Sequence, residues 1–168
     1  MDVFEAVRTV LAVRQFKSDP VPAEVVRQIV ESGHLTASSI NGQPWHFIVV
    51  EDKAMLGQLG ALARSGPYIA QAPLAIIVAV APSPYGMSDA SRAIQSMVLT
   101  AWAAGVGSNW VGFANLAEVN PVVGLPDDHQ IIAILPFGYP VNLTSKGKKV
   151  RKPLGEIASR ERFGQPFE

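Results

Sequence analysis

The sequence predicts a layered fold of the α/β or α+β class, and three observations carry that reading. Apolar residues at helical spacing occupy the first 35 positions, and an all-apolar run, Leu74 to Val80, stands between Pro73 and Pro82. Strand-like and helix-like segments then alternate as far as Pro140.

Taken in order, Phe4, Val7, Val10 and Leu11 predict a short helix over about 2–12, with Arg14 just beyond its end. Pro20 and Pro22 punctuate the chain, and Val25, Val26, Ile29 and Val30 form the stripe of a second helix over about 22–35. Ser38 to Pro44 is a loop by composition, and His46 to Val50 a buried strand. A helix near 53–63 and a turn at Gly66-Pro67 follow. Leu74 to Val80 has no polar face, so this strand requires cover on both sides. Ser88 or Asp89 is placed to cap the next helix, whose Ile94, Met97, Val98, Ala101 and Trp102 share one face, and Gly105 is placed to end it. Trp110 to Phe113 reads as a short strand, Leu116 to Val123 as a short helix and Ile131 to Phe137 as the last strand. Residues 1–140 thus form a core and 141–168 an extension of the same single domain. The extension combines a basic cluster, Lys146 to Lys152, with Phe163, Pro166 and Phe167. It is too apolar to hang in water, so it either folds back or packs on a second subunit.

Composition narrows the function. Fourteen basic residues balance fourteen acidic ones, so no global field draws in nucleic acid or an anionic membrane. Without cysteine there is no disulfide, thiolate metal site or thiol nucleophile, which fits a reducing compartment. The start carries acids ahead of any apolar stretch, and no run approaches the length of a membrane span. A soluble, cytoplasmic protein is the expectation. His34, His46 and His129 are scattered, so no metal site is expected, and neither the common nucleotide-binding glycine loops nor a Gly-x-Ser-x-Gly elbow occurs.

Three patches do carry chemistry. Arg14, with Lys149 and Arg151 in the extension, offers cations of the kind a phosphate monoester needs. Ser38 to Gln43 supplies hydroxyl and amide groups. The glycine-bearing stretch Gly105 to Phe113 lets backbone N–H groups approach a planar ring closely. Together they suit a cofactor with an anionic tail and a flat, hydrogen-bonding head, the shape of flavin mononucleotide (FMN). Each patch also has a plainer reading. Arg14 could be a solvated surface charge, Lys149 and Arg151 could keep a tail soluble, and Ser38, Ser39 and Asn41 suit any turn. Trp45, His46, Trp102 and Met97 read as packing residues.

In these segments the chain resembles the FMN-dependent nitroreductase family. The resemblance rests on Val13-Arg14-Gln15-Phe16 followed by Pro20-Val21-Pro22, on Ser38 to Val50 with its Asn41-Gly42-Gln43-Pro44-Trp45 core, and on Gly105 to Phe113. Pro136 to Pro140 and Lys149 to Leu154 complete it. It implies a central mixed β-sheet flanked by helices in an intertwined homodimer, with the C-terminal extension packed on the partner and FMN at the subunit interface. Arg14, Lys149 and Arg151 match phosphate-binding positions. Ser38, Ser39 and Asn41 match a loop that one subunit presents to the flavin of the other, with Gln43 beside it. Val111 and Gly112 match positions whose backbone N–H groups face the flavin N5 region. The implied activity is NAD(P)H oxidoreduction, with NADH or NADPH as reductant and a flat acceptor such as a quinone or nitroaromatic, by a ping-pong hydride mechanism. No catalytic acid or base is identified. The family's Arg-Arg-Ser ahead of the arginine is replaced here by Val10-Leu11-Ala12, which removes two phosphate anchors unless Arg8, Lys148 or Lys152 compensates. The alternative is therefore a non-catalytic or weakly flavin-binding dimeric module of the same fold.

Overall fold

Strand β2, Leu74–Val80, lies at the centre of the fold, and every one of its side chains is buried. The computed structural model describes residues 1–112, 116–142 and 149–167. Around β2 a four-stranded sheet runs in the order β1-β2-β4-β3, with β1 at Trp45–Val50, β3 at Gly107–Ser108 and β4 at Gln130–Gly138. All three strand pairings are antiparallel. The parallel component of the expected mixed sheet is a single bridge, Ala12 to Ser108.

The all-apolar composition of β2 is explained by two cores, one on each face. Leu74, Ile76, Val78 and Val80 face α2 (Ala23–His34) and α4 (Gly86–Ala103), meeting Val26, Ile29, Ala90, Ile94 and Met97. Ala75, Ile77 and Ala79 face α3 (Lys53–Leu62) and the 3-10 turn Pro67–Gln71, meeting Leu56, Leu59 and Ile69. The alternation is the period of two that a strand imposes. Gly33 lets α2 and α4 close together, since a Cβ there would lie 2.9 Å from Met97 Sδ.

Three elements depart from expectation. The first helix, α1, covers only Val3–Thr9, capped by Asp2, whose carboxylate accepts from the Glu5 N–H at 2.8 Å. Of its residues only Ala6 is buried; Phe4 and Val7, whose spacing predicted the helix, face outward. The second is α4, which starts at Gly86 rather than after Ser88 or Asp89, because Asp89 points inward to a different partner. The third is Trp110 to Phe113, which shrinks to one bridge between Val111 and Ile134; Phe113 lies outside the described residues. Gly105, at φ +79, follows the last turn of α4 as predicted. Leu116 to Val123 divides into a 3-10 turn, Ala117–Val119, and the short α5, Asn120–Val123.

After the described residues resume at Lys149, the chain forms α6 (Leu154–Ile157) and a hairpin-like closure bridging Ser159 to Pro166. Arg160 stabilises that closure, donating to the Phe167 carbonyl at 2.9 Å with its guanidinium 5.6 Å from the Phe167 ring. Val150, Leu154, Ile157 and Phe163 are nevertheless exposed, so the extension does not bury its apolar side chains on this chain's own core.

Candidate functional site

The outer edge of β4 gathers one half of the site. Phe16 bridges Pro140, Gly107 and Ser108 pair with Gly138 and Phe137, and Val111 pairs with Ile134. Arg14 is suspended between two anchors of that edge: the Val13 N–H donates to Ser108 O at 2.8 Å, and the Lys17 N–H donates to Tyr139 O at 2.8 Å. Gly107 permits this splice, because a Cβ there would fall 2.4 Å from Val13 Cγ2. The Arg14 side chain is exposed and has no ion pair or hydrogen bond among the described residues. Arg14 and the stretch to Gly112 therefore share one rigid strip.

Val111 and Gly112 play different parts. The Val111 N–H donates to Ile134 O at 3.0 Å and its carbonyl accepts from the Ile134 N–H at 2.8 Å, with the side chain buried. This corrects the expectation that Val111 offers a free backbone donor: its N–H is committed to the sheet. The Gly112 N–H has no partner among the described residues. A Cβ on Gly112 would come within 2.6 Å of Trp110 Nε1 and 2.7 Å of Ile132 O. Ile132 lies where the β2–β4 register shifts, opposite the Val78/Ala79 step. The bulge turns a carbonyl toward the chain that carries Gly112, and only glycine fits there.

Cations collect at the end of α1. The Lys149 Nζ donates to Val7 O at 2.6 Å, a carbonyl in the helix's last turn, where positive charge is favoured. Loss of hydration, then repulsion from Arg151 and Arg8, pushes the Lys149 pKa below its ordinary value. Three like charges held near one another are what an anion would relieve. Arg8 joins this group, although it is paired with Glu5 through two hydrogen bonds at 2.8 and 2.9 Å. Lys146 and Lys148 lie outside the described residues, and Lys152 is exposed.

The loop after α2 forms the other half of the site. Its 3-10 turn, Ser39–Asn41, contains two residues with positive φ, Ile40 at 51° and Asn41 at 56°, and Gln43 just beyond it has φ 46°. A β-branched residue in this region is a true outlier, costing about 1–3 kcal/mol. The Ser38 Oγ accepts from the Gln43 N–H at 2.9 Å. Ser39 is held from beneath: its N–H and its Oγ–H each donate to Asp89 Oδ1 at 3.0 Å, and Arg92 donates to both Ser39 Oγ (3.1 Å) and Asp89. Asn41 and Gln43 are exposed, touching each other through a long 3.3 Å contact between Gln43 Nε2 and Asn41 Oδ1. Asp89 and Arg92 were missed as site residues: Asp89 reads as a helix cap, and nothing local in the sequence links either residue to Ser39, fifty or more positions away. No hydrogen bond or ion pair among the described residues joins this loop to Arg14 or to the Lys149 cluster.

The groups present fit FMN at both ends. The cation cluster suits the phosphate, and the Gly112 N–H, without a partner among the described residues, offers a donor to a flat ring; the close contacts at its Cβ position are this chain's own packing. Among the described residues no group of three or more His, Asp or Glu could hold a metal ion, and no helix is long and apolar enough to cross a membrane.

Comparison with known proteins agrees with this geometry. The profile of the nitroreductase family matches residues 8–81 and 60–139. A Methanothermobacter thermautotrophicus protein with the provisional name NADH dehydrogenase/NAD(P)H nitroreductase is 30% identical over 149 residues, spanning 83% of this chain and 78% of its own length. The structure of NfrA2 from B. megaterium superposes with a TM-score of 0.88 at 26% identity, over 97% of this chain and 76% of that one. An FMN-dependent nitroreductase from Clostridium difficile shares the fold at a TM-score of 0.86 and 23% identity, over 95% of this chain and 99% of its own. The chain belongs to the nitroreductase family.

Proposed function

We infer that this protein is an FMN-dependent oxidoreductase that uses NADH or NADPH to reduce flat acceptors, working as a cytoplasmic homodimer. The observation that carries the reading is the β4 edge strip, which holds an arginine, Arg14, and a backbone donor, Gly112, neither with a partner among the described residues, on one element of a nitroreductase fold. When bound, FMN would supply the redox chemistry between the reduced nicotinamide and the acceptor. Arg14, Lys149 and Arg151 bind the phosphate, and the Gly112 N–H donates toward the ring. Asn41 and Gln43 supply amide groups from the loop after α2. No hydrogen bond or ion pair among the described residues joins that loop to the cations, and in this reading a second subunit completes the site. The outward apolar side chains Phe4, Val7, Ile157 and Phe163 support such an interface. No side chain here is assigned as acid or base; the protein binds, orients and shields.

A second reading, a dimeric module that holds flavin weakly and turns nothing over, is favoured by one observation. Val10-Leu11-Ala12 supplies no phosphate anchor, and the nearest substitute, Arg8, is tied to Glu5. An absorption spectrum of the purified protein with and without added FMN, followed by NADH and NADPH titration with a quinone acceptor, separates the two. Bound flavin that bleaches and is reoxidised by acceptor supports the enzyme, and bound flavin without turnover supports the module. A colourless protein that FMN does not reconstitute overturns both.

A further inference from the structure

Asp89 is a carboxylate only 1% exposed, and its Oδ2 has no hydrogen-bond partner among the described residues. Burying a carboxyl group this way is unfavourable unless its bonds do something an apolar residue could not. Among the described residues its side-chain bonds all run through one oxygen, Oδ1, and engage two residues, Ser39 and Arg92. Ser39 donates to it twice, and Arg92 donates to it while also reaching Ser39 Oγ. Beyond Ser39 the backbone enters the left-handed region at Ile40 and Asn41 and again at Gln43, although isoleucine disfavours it and Ile40, 89% exposed, gains no packing within this chain. Local preference does not explain that path, so it is imposed from the anchored end.

We propose that Asp89 is a positioning residue. With Arg92 it clamps Ser39, and the clamp sets the left-handed path that presents Asn41 and Gln43 to the flavin. This rests on the FMN reading given above. It gives Ser39 a different part from its neighbours: its hydroxyl is used inward, and it orients the residues that touch the cofactor. Asp89 meets neither cofactor nor substrate. The orphaned Oδ2 follows from the same geometry, because α4 is placed to serve the loop with one carboxylate oxygen only.

The test compares wild type, Asp89→Ala, Asp89→Asn and Arg92→Ala, first by amide hydrogen exchange without flavin and then by FMN titration. Asp89→Ala should raise exchange across residues 38–43 by about tenfold or more, leave β2 and the rest of α4 protected, and weaken FMN binding by about tenfold. Asp89→Asn, whose amide oxygen can still accept from the Ser39 N–H, should recover part of both effects. Arg92 is half-exposed, so Arg92→Ala tests the clamp in a folded chain even if Asp89→Ala does not fold. Unchanged exchange in the loop, or exchange rising equally through α4 and β2, overturns the proposal. Failure of wild type to take up FMN overturns the functional reading instead, and the flavin-free exchange still decides whether the clamp exists.

Discussion

The ammonium of Lys149 donates to the carbonyl oxygen of Val7 at 2.6 Å, tying the C-terminal extension to the last turn of α1. Folding lowers the Lys149 pKa, mainly by desolvation and then through Arg151 and Arg8. A lysine with a depressed folded pKa penalises the folded state while it is charged, and that penalty is relieved as pH rises through the depressed pKa toward the ordinary lysine value. A bound phosphate acts oppositely, favouring the charged form. FMN affinity should therefore fall on the alkaline side as Lys149 loses its proton, and Lys149→Arg should carry binding to higher pH. Fluorescence titration of FMN against pH checks this. Riboflavin, with the same ring and no phosphate, should show no such dependence on residue 149.

Arg14 has an exposed side chain without a partner among the described residues, so its removal disturbs little of the fold. Arg14→Ala should weaken FMN by about ten- to a hundredfold, the worth of one charge-assisted hydrogen bond, and leave riboflavin affinity unchanged. Equal losses for both ligands would place Arg14 outside the phosphate site.

Gly112→Ala forces a methyl group to within 2.7 Å of Ile132 O and 2.6 Å of Trp110 Nε1. Overpacking of this kind costs about 1–3 kcal/mol. A urea unfolding curve should show the midpoint lowered with an unchanged slope.

Ile40 sits at φ 51° and is exposed, so it carries strain without the reward of burial. Asparagine tolerates that region better. Ile40→Asn should raise the stability of the flavin-free protein by about 1 kcal/mol in the same assay.

Phe163 is fully exposed on the extension. If it packs on a second subunit, Phe163→Asp should shift the protein toward monomer in sedimentation equilibrium and reduce FMN retention with it. A dimer that persists unchanged would assign the interface elsewhere.

The periodic elements were legible because burial dictates their pattern. The bounds 74–80 for β2 were read directly, since a strand covered on both faces leaves an uninterrupted apolar run. The helices α2 and α4 were legible from their stripes. What was hidden depends on contacts far apart in sequence. Asp89 looked like a helix cap, yet it is engaged by Ser39, fifty residues away in the chain. The outward face of α1 has the same spacing as a buried one, so periodicity revealed the helix without revealing what covers it. Val111 and Gly112 are adjacent and were read alike, but only the sheet pairing shows that the first donor is taken. The cations Arg14, Lys149 and Arg151 were legible as residue types, with Arg8 already a candidate substitute, and the fold adds that Arg8 and Arg151 act on Lys149.

The unequal faces of β2 bear on how the chain finds its fold. One face offers Ala75, Ile77 and Ala79, the other Leu74, Ile76, Val78 and Val80. A slip by one residue would exchange the two sets, crowding the bulkier row under α3 and leaving voids beneath α2 and α4. The difference in volume thus proofreads alignment during folding. Since β1 continues from the Asn41–Gln43 loop and β4 carries the Ile134 partner of Val111, a misaligned central strand would also displace the two halves of the site from one another.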